Sequence, residues 1–239
     1  MSDAEVMLSW QAGVGTLTLN RPANANAVSA SIVSGINNAL DEAGARKARA
    51  LVIEGAGHNF CAGFDLSGLD AETDDSLLAR FVRVELMLQR VAEAPFLTVA
   101  KAQGRIMGVG ADLFAACSLR LLDGMPTLAF PGFRGFGIVL GRERLKSLVD
   151  PGLAQRWLEQ ASAISAEEAL NSGLAMALLD DHRHALTTAI ELALENFTAR
   201  RTNAAGDLDE LVRSAAVPGL KSRIAAYIAT TVALRRQAA

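Results

Sequence analysis

Short apolar runs open the chain with a pattern that is typical of strands. Val6–Trp10 and Val14–Asn20 are two such runs, and they flank Gln11-Ala12-Gly13. Apolar runs joined by a few residues that include glycine predict a β-hairpin. The second run stops before Pro22, because proline has no N–H to donate to a strand ladder.

Apolar residues at helical spacing follow the hairpin. Ser29 is predicted to cap a helix that ends near Ala45, since a serine side chain accepts a free N–H of the first turn. A buried strand over Ala50–Glu54 comes next. A second helix is predicted over Ser76–Glu93, and it ends before Pro95 because the residue preceding a proline disfavours the helical conformation.

The same alternation continues with a strand over Leu97–Ala102 and a helix over Val109–Cys117. Two further short strands are predicted, Leu119–Leu122 and Thr127–Phe130. Strands that alternate with helices indicate an α/β protein with a largely parallel sheet. No repeat or low-complexity segment suggests a solenoid or a linker.

Beyond these strands the pattern is helical almost to the end of the chain. Ser165 and Glu168 have the spacing of a capping box at a helix start, and Gly173 is the matching stop signal. His182 and His184 indicate a polar helix start. They have no cysteine or suitably spaced partner nearby, so no metal site is predicted.

Composition narrows the class of protein further. The chain has 239 residues, of which 51% are hydrophobic and 5% aromatic, as expected for a globular core of Ala, Leu and Val. A formal net charge of −3 makes nucleic acid an unexpected partner, since binding it requires a clustered basic surface. No apolar run is long enough to span a membrane and no signal-peptide pattern is present, so a cytoplasmic protein is expected.

Two glycine-punctuated turns carry the most specific signal. His58-Asn59-Phe60-Cys61-Ala62-Gly63-Phe64-Asp65-Leu66 follows one apolar strand, and Gly104-Arg105-Ile106-Met107-Gly108-Val109-Gly110-Ala111-Asp112 follows another. Each turn can direct unpaired backbone N–H groups toward a carbonyl oxygen, and two such turns make an oxyanion hole. The pair resembles the crotonase superfamily, which contains the enoyl-CoA hydratases and isomerases. The segment Ile164–Leu174 resembles a third superfamily motif.

The resemblance implies a fold and an assembly. It implies a spiral of ββα units over residues 1–185 and a helical region over residues 186–239 that packs into homotrimers or hexamers. It also implies an acyl-CoA thioester as substrate and no separate cofactor. The family supports several reactions on one fold, so the resemblance alone does not select one of them.

The resemblance also assigns candidate catalytic groups. The thioester oxygen would be bound by the backbone N–H groups of Phe64 and Val109. Asp112 falls where hydratases carry the first of two glutamates, and its apolar surroundings predict a raised carboxyl pKa that suits an acid/base. A structural aspartate at the helix start is the alternative. Gly132 stands where the second glutamate is expected, which argues against ordinary hydration.

Other candidates have weaker support. The family uses the position of Cys61 as a small core residue, so a core thiol is favoured over a nucleophile, and Cys117 is expected to be a second free thiol. Glu143 is the nearest downstream carboxylate, and an ion-paired surface position is favoured for it. His58 is expected in a loop, with a contact to CoA phosphate as the alternative.

For CoA binding, the resemblance implicates Arg21 near the phosphates and the loop of Asp65 and Leu66 along the pantetheine. Ala62 and Gly108 flank the two oxyanion donors. No Gly-x-Gly-x-x-Gly turn follows the first strand, so a dinucleotide is not expected. The aromatic residues of the region suggest an aromatic-lined pocket, with core positions as the alternative; they are Phe64, Phe133 and Phe136.

The leading hypothesis is an acyl-CoA enzyme of the hydratase/isomerase type that acts in fatty acid metabolism with a single carboxylate, Asp112. A single-carboxylate isomerase, or a hydrolase of thioesters or β-diketones, is the nearest alternative. A catalytically weak acyl-CoA-binding partner subunit is the hypothesis from a different class. Loss of the second glutamate favours it, and Asp112 argues against it.

Overall fold

A computed structural model describes residues 4–179, 183–199 and 203–237. Its sheet has the strand order β1-β2-β3-β4-β5-β6, in which β1 and β2 are antiparallel and the remaining neighbours parallel. The strands are β1 Val6–Gln11, β2 Val14–Leu19, β3 Ala50–Gly55, β4 Leu97–Met107, β5 Leu119–Ala129 and β6 Ala177–Leu179. The predicted hairpin is confirmed, and Ala12 and Gly13 turn it with positive φ angles.

Helices connect the strands and then dominate the second half of the chain. They are α1 Ala30–Ala45, α2 Asp74–Ala92, α3 Val109–Ala116, α4 Gly132–Phe136, α5 Arg142–Lys146, α6 Pro151–Gln160, α7 Ala166–Asn171, α8 Arg183–Glu195, α9 Ala204–Ala215 and α10 Leu220–Gln237. The Ser29 cap is confirmed: its hydroxyl accepts the N–H of Ile32. Ser165 likewise accepts the N–H of Glu168. The predicted start of α2 at Ser76 is wrong, because Thr73 and Ser76 cap each other reciprocally and the helix begins at Asp74.

Strands β4 and β5 are longer than predicted. The expected turn at Gly104 is a bulge inside β4, where the pairing with β5 shifts between Gln103 and Arg105. Gly104 has φ +61°, and a Cβ there would lie 1.9 Å from the carbonyl oxygen of His58. Only glycine therefore allows these two segments of the backbone to approach so closely. The two short strands predicted after α3 are one continuous strand, β5, because it pairs with β4 on both sides of this bulge.

The sheet buries both of its faces. Leu17, Leu51 and Ile53 pack with the helices of the main core, whereas Val52 and Val99 belong to a smaller cluster on the opposite face that α8 covers. Side chains alternate between the faces because the strand repeat is two residues. A parallel sheet that is covered on both sides therefore produces the near-continuous apolar runs of β3 and β4.

The C-terminal helices pack on the same body. α9 lies against α2, and α10 lies against α2 and α4. The Asp74 carboxylate joins these parts, because it accepts the backbone N–H groups of Gly219, Leu220 and Lys221 at the start of α10. A domain boundary near residue 185 stays a prediction. His182 lies outside the described residues, and no helix within them is long and apolar enough to cross a membrane.

Candidate active site

A cavity of about 340 Å³ lies between the two glycine turns and the C-terminal helices. The first turn contributes Ala62, Gly63, Phe64 and Leu66 to its wall, and the second contributes Met107, Gly108, Val109 and Asp112. The opposite wall comes from α4, the segment that follows it, and α10. Both sequence motifs and the candidate acid therefore face one space.

The two turns are held side by side by backbone hydrogen bonds. Cys61 donates its N–H to the carbonyl of Arg105 at 3.2 Å, and Met107 donates to the carbonyl of Cys61 at 2.9 Å. The two turns lie so close together that each of them needs a glycine at the contact. A Cβ on Gly63, which has φ +106°, would lie 3.0 Å from the Met107 carbonyl oxygen, and one on Gly110 would lie 2.4 Å from that of Cys61.

The N–H groups of Phe64 and Val109 donate to no acceptor among the described residues. Phe64 is fixed from both sides, since Val28 donates to the Gly63 carbonyl at 2.7 Å and Asp65 donates to the Val28 carbonyl at 3.1 Å. Val109 is the first residue of α3, where helix N–H groups have no intrahelical acceptor and the helix dipole favours negative charge. Two free donors thus border the cavity, as an oxyanion hole requires.

Asp112 lies one turn into α3 and is 8% exposed. Burial raises its carboxyl pKa well above the ordinary value; Arg144 opposes this shift, while Glu85 and Asp207 reinforce it. No hydrogen bond to the Asp112 side chain is present among the described residues, so it does not cap its own helix there. The carboxyl group borders the cavity and favours its neutral form.

A buried charge cluster that sequence reasoning missed lies behind α3. Arg144 is 3% exposed and pairs with Glu85, whose side chain is fully buried. Asp207 of α9 completes the cluster. The signal for it was the Arg-Glu-Arg run of α5, in which we predicted only that Glu143 would be a surface ion pair; that prediction is confirmed by its contact with Lys146 at 2.9 Å.

Gly132 borders the same cavity without a side chain. A Cβ at this position would lie 2.9 Å from the carbonyl oxygen of Ile138, so the backbone is packed against the space where a side chain would begin. Among the described residues that line the cavity, Asp112 is the one carboxylic acid. The described lining therefore presents one carboxylic acid, where the resemblance implies two for hydration.

The predicted aromatic lining is confirmed: Phe64, Phe133 and Phe136 all border the cavity. Phe81 of α2 and Tyr227 of α10 join them, which the sequence did not indicate. The rings form a connected series, with Phe64 stacked on Phe81 at 4.2 Å between centroids and Phe136 edge-on to Tyr227 at 5.5 Å. The wall around an acyl group would thus be mainly apolar.

The candidate CoA-binding residues divide into two groups. Ala62, Leu66 and Gly108 line the cavity, whereas Arg21 and Asp65 do not. Arg21 donates to the Asp65 carboxylate at 2.7 Å and to the Ala27 carbonyl at 2.7 Å, which braces the first turn. The contacts of Arg21 and Asp65 with CoA stay a prediction.

Cys61 and Cys117 are both buried, and no disulfide joins them. Burial raises the pKa of the Cys61 thiol to about 12, so it is not a thiolate near neutral pH. That state agrees with the core position favoured from the sequence. His58 lies exposed in a turn, also as expected, and its alternative role as a contact to CoA phosphate stays a prediction.

Comparison with known proteins gives consistent results. A family model described as Enoyl-CoA hydratase/isomerase matches residues 9–228. The Mus musculus ethylmalonyl-CoA decarboxylase is 32% identical over 194 residues, which cover 79% of this chain and 59% of that protein. A Mycobacterium tuberculosis protein named as a probable enoyl-CoA hydratase, echA6, is 34% identical over 164 residues, which cover 67% of this chain and 65% of the other. The chain thus spans about three fifths to two thirds of the length of these relatives.

Solved structures agree with this match. A Bordetella parapertussis protein assigned to the enoyl-CoA hydratase/isomerases has a TM-score of 0.89 at 36% identity, covering 95% of this chain and 99% of that chain. An enoyl-CoA hydratase/isomerase from Mycobacterium paratuberculosis has a TM-score of 0.77 at 22% identity, covering 93% and 98% of the two chains. The second likeness concerns the fold alone. The predicted α/β fold is confirmed.

Proposed function

The chain belongs to the enoyl-CoA hydratase/isomerase family, as its resemblance to the crotonase superfamily predicted, and on that premise we propose that it processes acyl-CoA thioesters. The thioester carbonyl oxygen accepts the N–H groups of Phe64 and Val109. Both donors are free in the described structure and border the cavity. They stabilise the negative charge that develops on this oxygen when an enolate forms next to it.

Asp112 is the single acid/base of the reaction. This assignment carries the proposal, and it rests on one observation: Asp112 is the one carboxylic acid among the described lining residues, and Gly132 supplies none. Syn addition of water in this family uses two carboxylates. A reaction that moves one proton at the acyl α-carbon needs only one, so proton transfer is favoured over hydration.

The resting protonation state of Asp112 selects the direction of that transfer. Burial and the nearby Glu85 and Asp207 favour the neutral acid, which donates a proton rather than accepts one. Decarboxylation of a 2-carboxyacyl-CoA fits this state. The bond from the α-carbon to the carboxylate breaks, CO₂ leaves, and the electron pair moves to the thioester oxygen. The Asp112 proton then passes to the α-carbon, and water reprotonates the aspartate.

The name of the mouse relative, ethylmalonyl-CoA decarboxylase, supports this choice. Isomerisation of an enoyl-CoA is the second candidate, because one carboxylate can carry a proton between two acyl carbons. It requires Asp112 to ionise first, which its burial opposes. The homotrimeric or hexameric assembly, cytoplasmic location and place in fatty acid metabolism implied by the resemblance belong to the same proposal.

Turnover on a panel of thioesters tests the proposal. Purified protein is incubated in D₂O with 2-carboxyacyl-, 2-enoyl-, 3-enoyl- and 3-oxoacyl-CoA thioesters, and the products are resolved by mass. We expect loss of CO₂ with one deuterium at the α-carbon. We expect Asp112→Asn to lower turnover by about 10²–10⁴-fold while acyl-CoA still binds, as is usual when a general acid is removed.

Asp112→Glu is the matched control, since it keeps the acid and adds one methylene. It should retain more turnover than Asp112→Asn. An isomerised product without CO₂ release would select the second candidate. Acyl-CoA binding without any product, unchanged in Asp112→Asn, would overturn the enzyme proposal in favour of a binding subunit.

A further inference from the structure

The buried cluster behind α3 joins three helices by charged side chains. Arg144 of α5 donates from Nη2 to Oε1 of Glu85 on α2 at 2.5 Å. The same nitrogen lies 3.7 Å from Oδ2 of Asp207 on α9. None of the three side chains lines the cavity, and all are nearly or fully buried. Such a group costs free energy through desolvation, so apolar residues would stabilise this position as well or better.

Both carboxylates of the cluster meet donors only. Glu85 accepts the Gly141 N–H at 3.2 Å with its other oxygen. Asp207 accepts the N–H groups of Glu143 and Arg144 at 2.7 Å and 3.3 Å, where it caps the start of α5. Burial raises the pKa of both Glu85 and Asp207, and the Arg144 guanidinium and the backbone N–H groups oppose that rise. A protonated carboxyl group would place its own donor against these donors, so the hydrogen-bond geometry favours the ionised forms. One guanidinium then faces two carboxylates, and the cluster has a net charge of −1.

Helix α3 packs against α2 and α5, which carry Glu85 and Arg144, and against β4 and β5; α9, which carries Asp207, packs against α2 and α5. The cluster supplies Glu85, Arg144 and Asp207, all of which act on the Asp112 carboxyl. On β4, Arg105 borders the cavity from its exposed side. On β5, the Arg120 guanidinium is bonded to the Leu174 carbonyl at 2.6 Å. The Cys61 thiol beside α3 is neutral. The cluster is therefore the main buried charge near the acid.

We propose that Arg144 is a positioning residue for Asp112: Glu85 and Asp207 hold its guanidinium among the helices beside α3, and the net negative charge of the three disfavours a further buried negative charge on Asp112 until an enolate takes its proton. This inference rests on the proposed function for its catalytic meaning. It assigns a role in the reaction to α9, a helix whose described residues contribute nothing to the cavity wall. Sequence motifs of the oxyanion turns do not indicate this role.

Arg144 also retains unused donors. Its Nε and Nη1 are buried without a hydrogen-bond partner among the described residues. Gly141, with φ +53°, leaves the room for them, because a Cβ there would lie 2.4 Å from Nη1. Once Asp112 has given up its proton, this guanidinium is a buried positive charge that acts on it. The cluster as a whole thus disfavours ionisation of Asp112 before the reaction. Its Arg144 guanidinium still attracts the Asp112 carboxylate that forms during the reaction.

Titration of Asp112 tests the inference without any substrate. The full-length protein is labelled with ¹³Cγ-aspartate, and the Asp112 carboxyl resonance, identified by its loss in Asp112→Asn, is followed against pH. We expect the midpoint to fall by about one pH unit or more in Asp207→Asn and Glu85→Gln, which each remove a negative charge. We expect it to rise in Arg144→Gln, which removes the positive charge.

The direction of the Asp112 midpoint shift distinguishes an electrostatic role from a structural one, because the carboxylate variants and Arg144→Gln should shift it in opposite directions. Loosening of the fold alone would move every variant in the same direction, toward an ordinary carboxyl pKa. Glu210→Gln is the matched control: it removes a carboxylate from the same helix, where Glu210 pairs with Arg142 and Arg213 outside the cluster. Its midpoint should match the unsubstituted protein. Arg144→Met takes the place of Arg144→Gln if the latter does not fold, because it removes the same positive charge and is also expected to raise the midpoint.

An unchanged Asp112 midpoint in folded Asp207→Asn and Glu85→Gln would overturn the inference. A pH profile of kcat on the thioester that is turned over provides the second readout, and it should shift in the same direction as each midpoint. The two proposals fail separately. Midpoints that shift as expected in a protein that turns over no thioester would refute the proposed function and retain the electrostatic coupling.

Discussion

The cavity has two walls of different construction. One wall is backbone: the turns around Gly63 and Gly108 are hydrogen-bonded together and present N–H groups. The other is made of side chains on helices, among them Phe136 of α4 and Tyr227 of α10. The two walls therefore differ in which of their features substitutions can change. Backbone donors keep their positions whatever the neighbouring side chains are, whereas a helical wall changes shape and charge with each substitution.

Tolerance to change should differ accordingly. In the backbone wall, Gly110 leaves no room for even one methyl group, because the Cys61 carbonyl oxygen occupies the space. Backbone atoms cannot rotate away as a flexible side chain does. Close packing of this kind makes small additions costly. The helical wall contains longer side chains that can repack, so it is the region where substrate preference is expected to vary.

The largest effect is expected from Gly110→Ala. Its new Cβ would lie 2.4 Å from the Cys61 carbonyl oxygen, so the two turns must separate. We expect the free energy of unfolding to fall by about 3 kcal/mol or more, at the upper end of overpacking effects. Chemical denaturation monitored by circular dichroism measures this change.

Gly44→Ala is the control for that experiment. Gly44 lies in α1, and no atom lies within 4 Å of a Cβ built there. Alanine should raise the free energy of unfolding by about 0.5–1 kcal/mol, because it favours the helix over glycine. Equal stability of the two variants would show that the contact between the turns does not constrain the backbone wall.

A smaller effect is expected from Arg21→Gln, which removes the side-chain brace of the first turn. Arg21 pairs with Asp65 and with Glu5, at 2.7 Å and 3.1 Å. Burial alone would raise the pKa of Asp65, but bonds from Ser67 and Arg21 bring it below its ordinary value. We expect a loss of about 1.5–3 kcal/mol in unfolding free energy, the range for hydrogen bonds to charged groups.

Glu5→Gln is the matched variant, since it removes only the outer partner of Arg21. It should cost less than Arg21→Gln in the same denaturation experiment. Unchanged stability of Arg21→Gln together with weaker CoA affinity would contradict the bracing role. That result would instead support the phosphate contact that the family resemblance implies.

The smallest effect is expected from Asp74→Asn, which acts on the helical wall. Three backbone N–H groups at the start of α10, that of Lys221 first, hold the pKa of Asp74 below its ordinary value. A depressed pKa stabilises the fold above the unfolded-state pKa of about 3.9, and this contribution is lost as pH falls through the folded-state pKa. Because Asp74→Asn removes this charge, we expect the backbone amide hydrogens of α10 to exchange with solvent faster near neutral pH than in the unsubstituted protein.

Chemical denaturation at several pH values checks the sign of this effect. The stability difference between the unsubstituted protein and Asp74→Asn should be present at pH 6–7 and shrink below about pH 4. Asp75→Asn is the control, because it removes the neighbouring carboxylate of the same helix turn, for which no contact with α10 is present among the described residues. A difference that grows on acidification would refute the capping role.

Elements with local signals were predicted well. The hairpin, the Ser29 and Ser165 caps and the start of α3 follow from residues adjacent in sequence, and the structure confirms them. The errors arose where a distant partner decides the outcome. The chain around Gly104 stays a strand because β5 pairs with it on both sides of the bulge. Nothing near Gly104 in the sequence reports that pairing.

The candidate site divides in the same way. The sequence identified the two turns, Asp112 and the lack of a carboxylate at Gly132, because short motifs carry them. It did not show why that position is glycine. The structure brings the Ile138 carbonyl to within 2.9 Å of where a Cβ would be, so restoring the family glutamate there would require the backbone to move.

By itself, the sequence determined the family, the order of the strands and helices, and the backbone wall of the cavity, since glycine spacing and turn conformation are local properties of the chain. Only the tertiary structure decided the charge environment of the acid. Glu85, Arg144 and Asp207 lie far apart in sequence and meet because α2, α5 and α9 pack together. Electrostatic interaction depends on distance and burial in space, and neither can be read from positions along the chain.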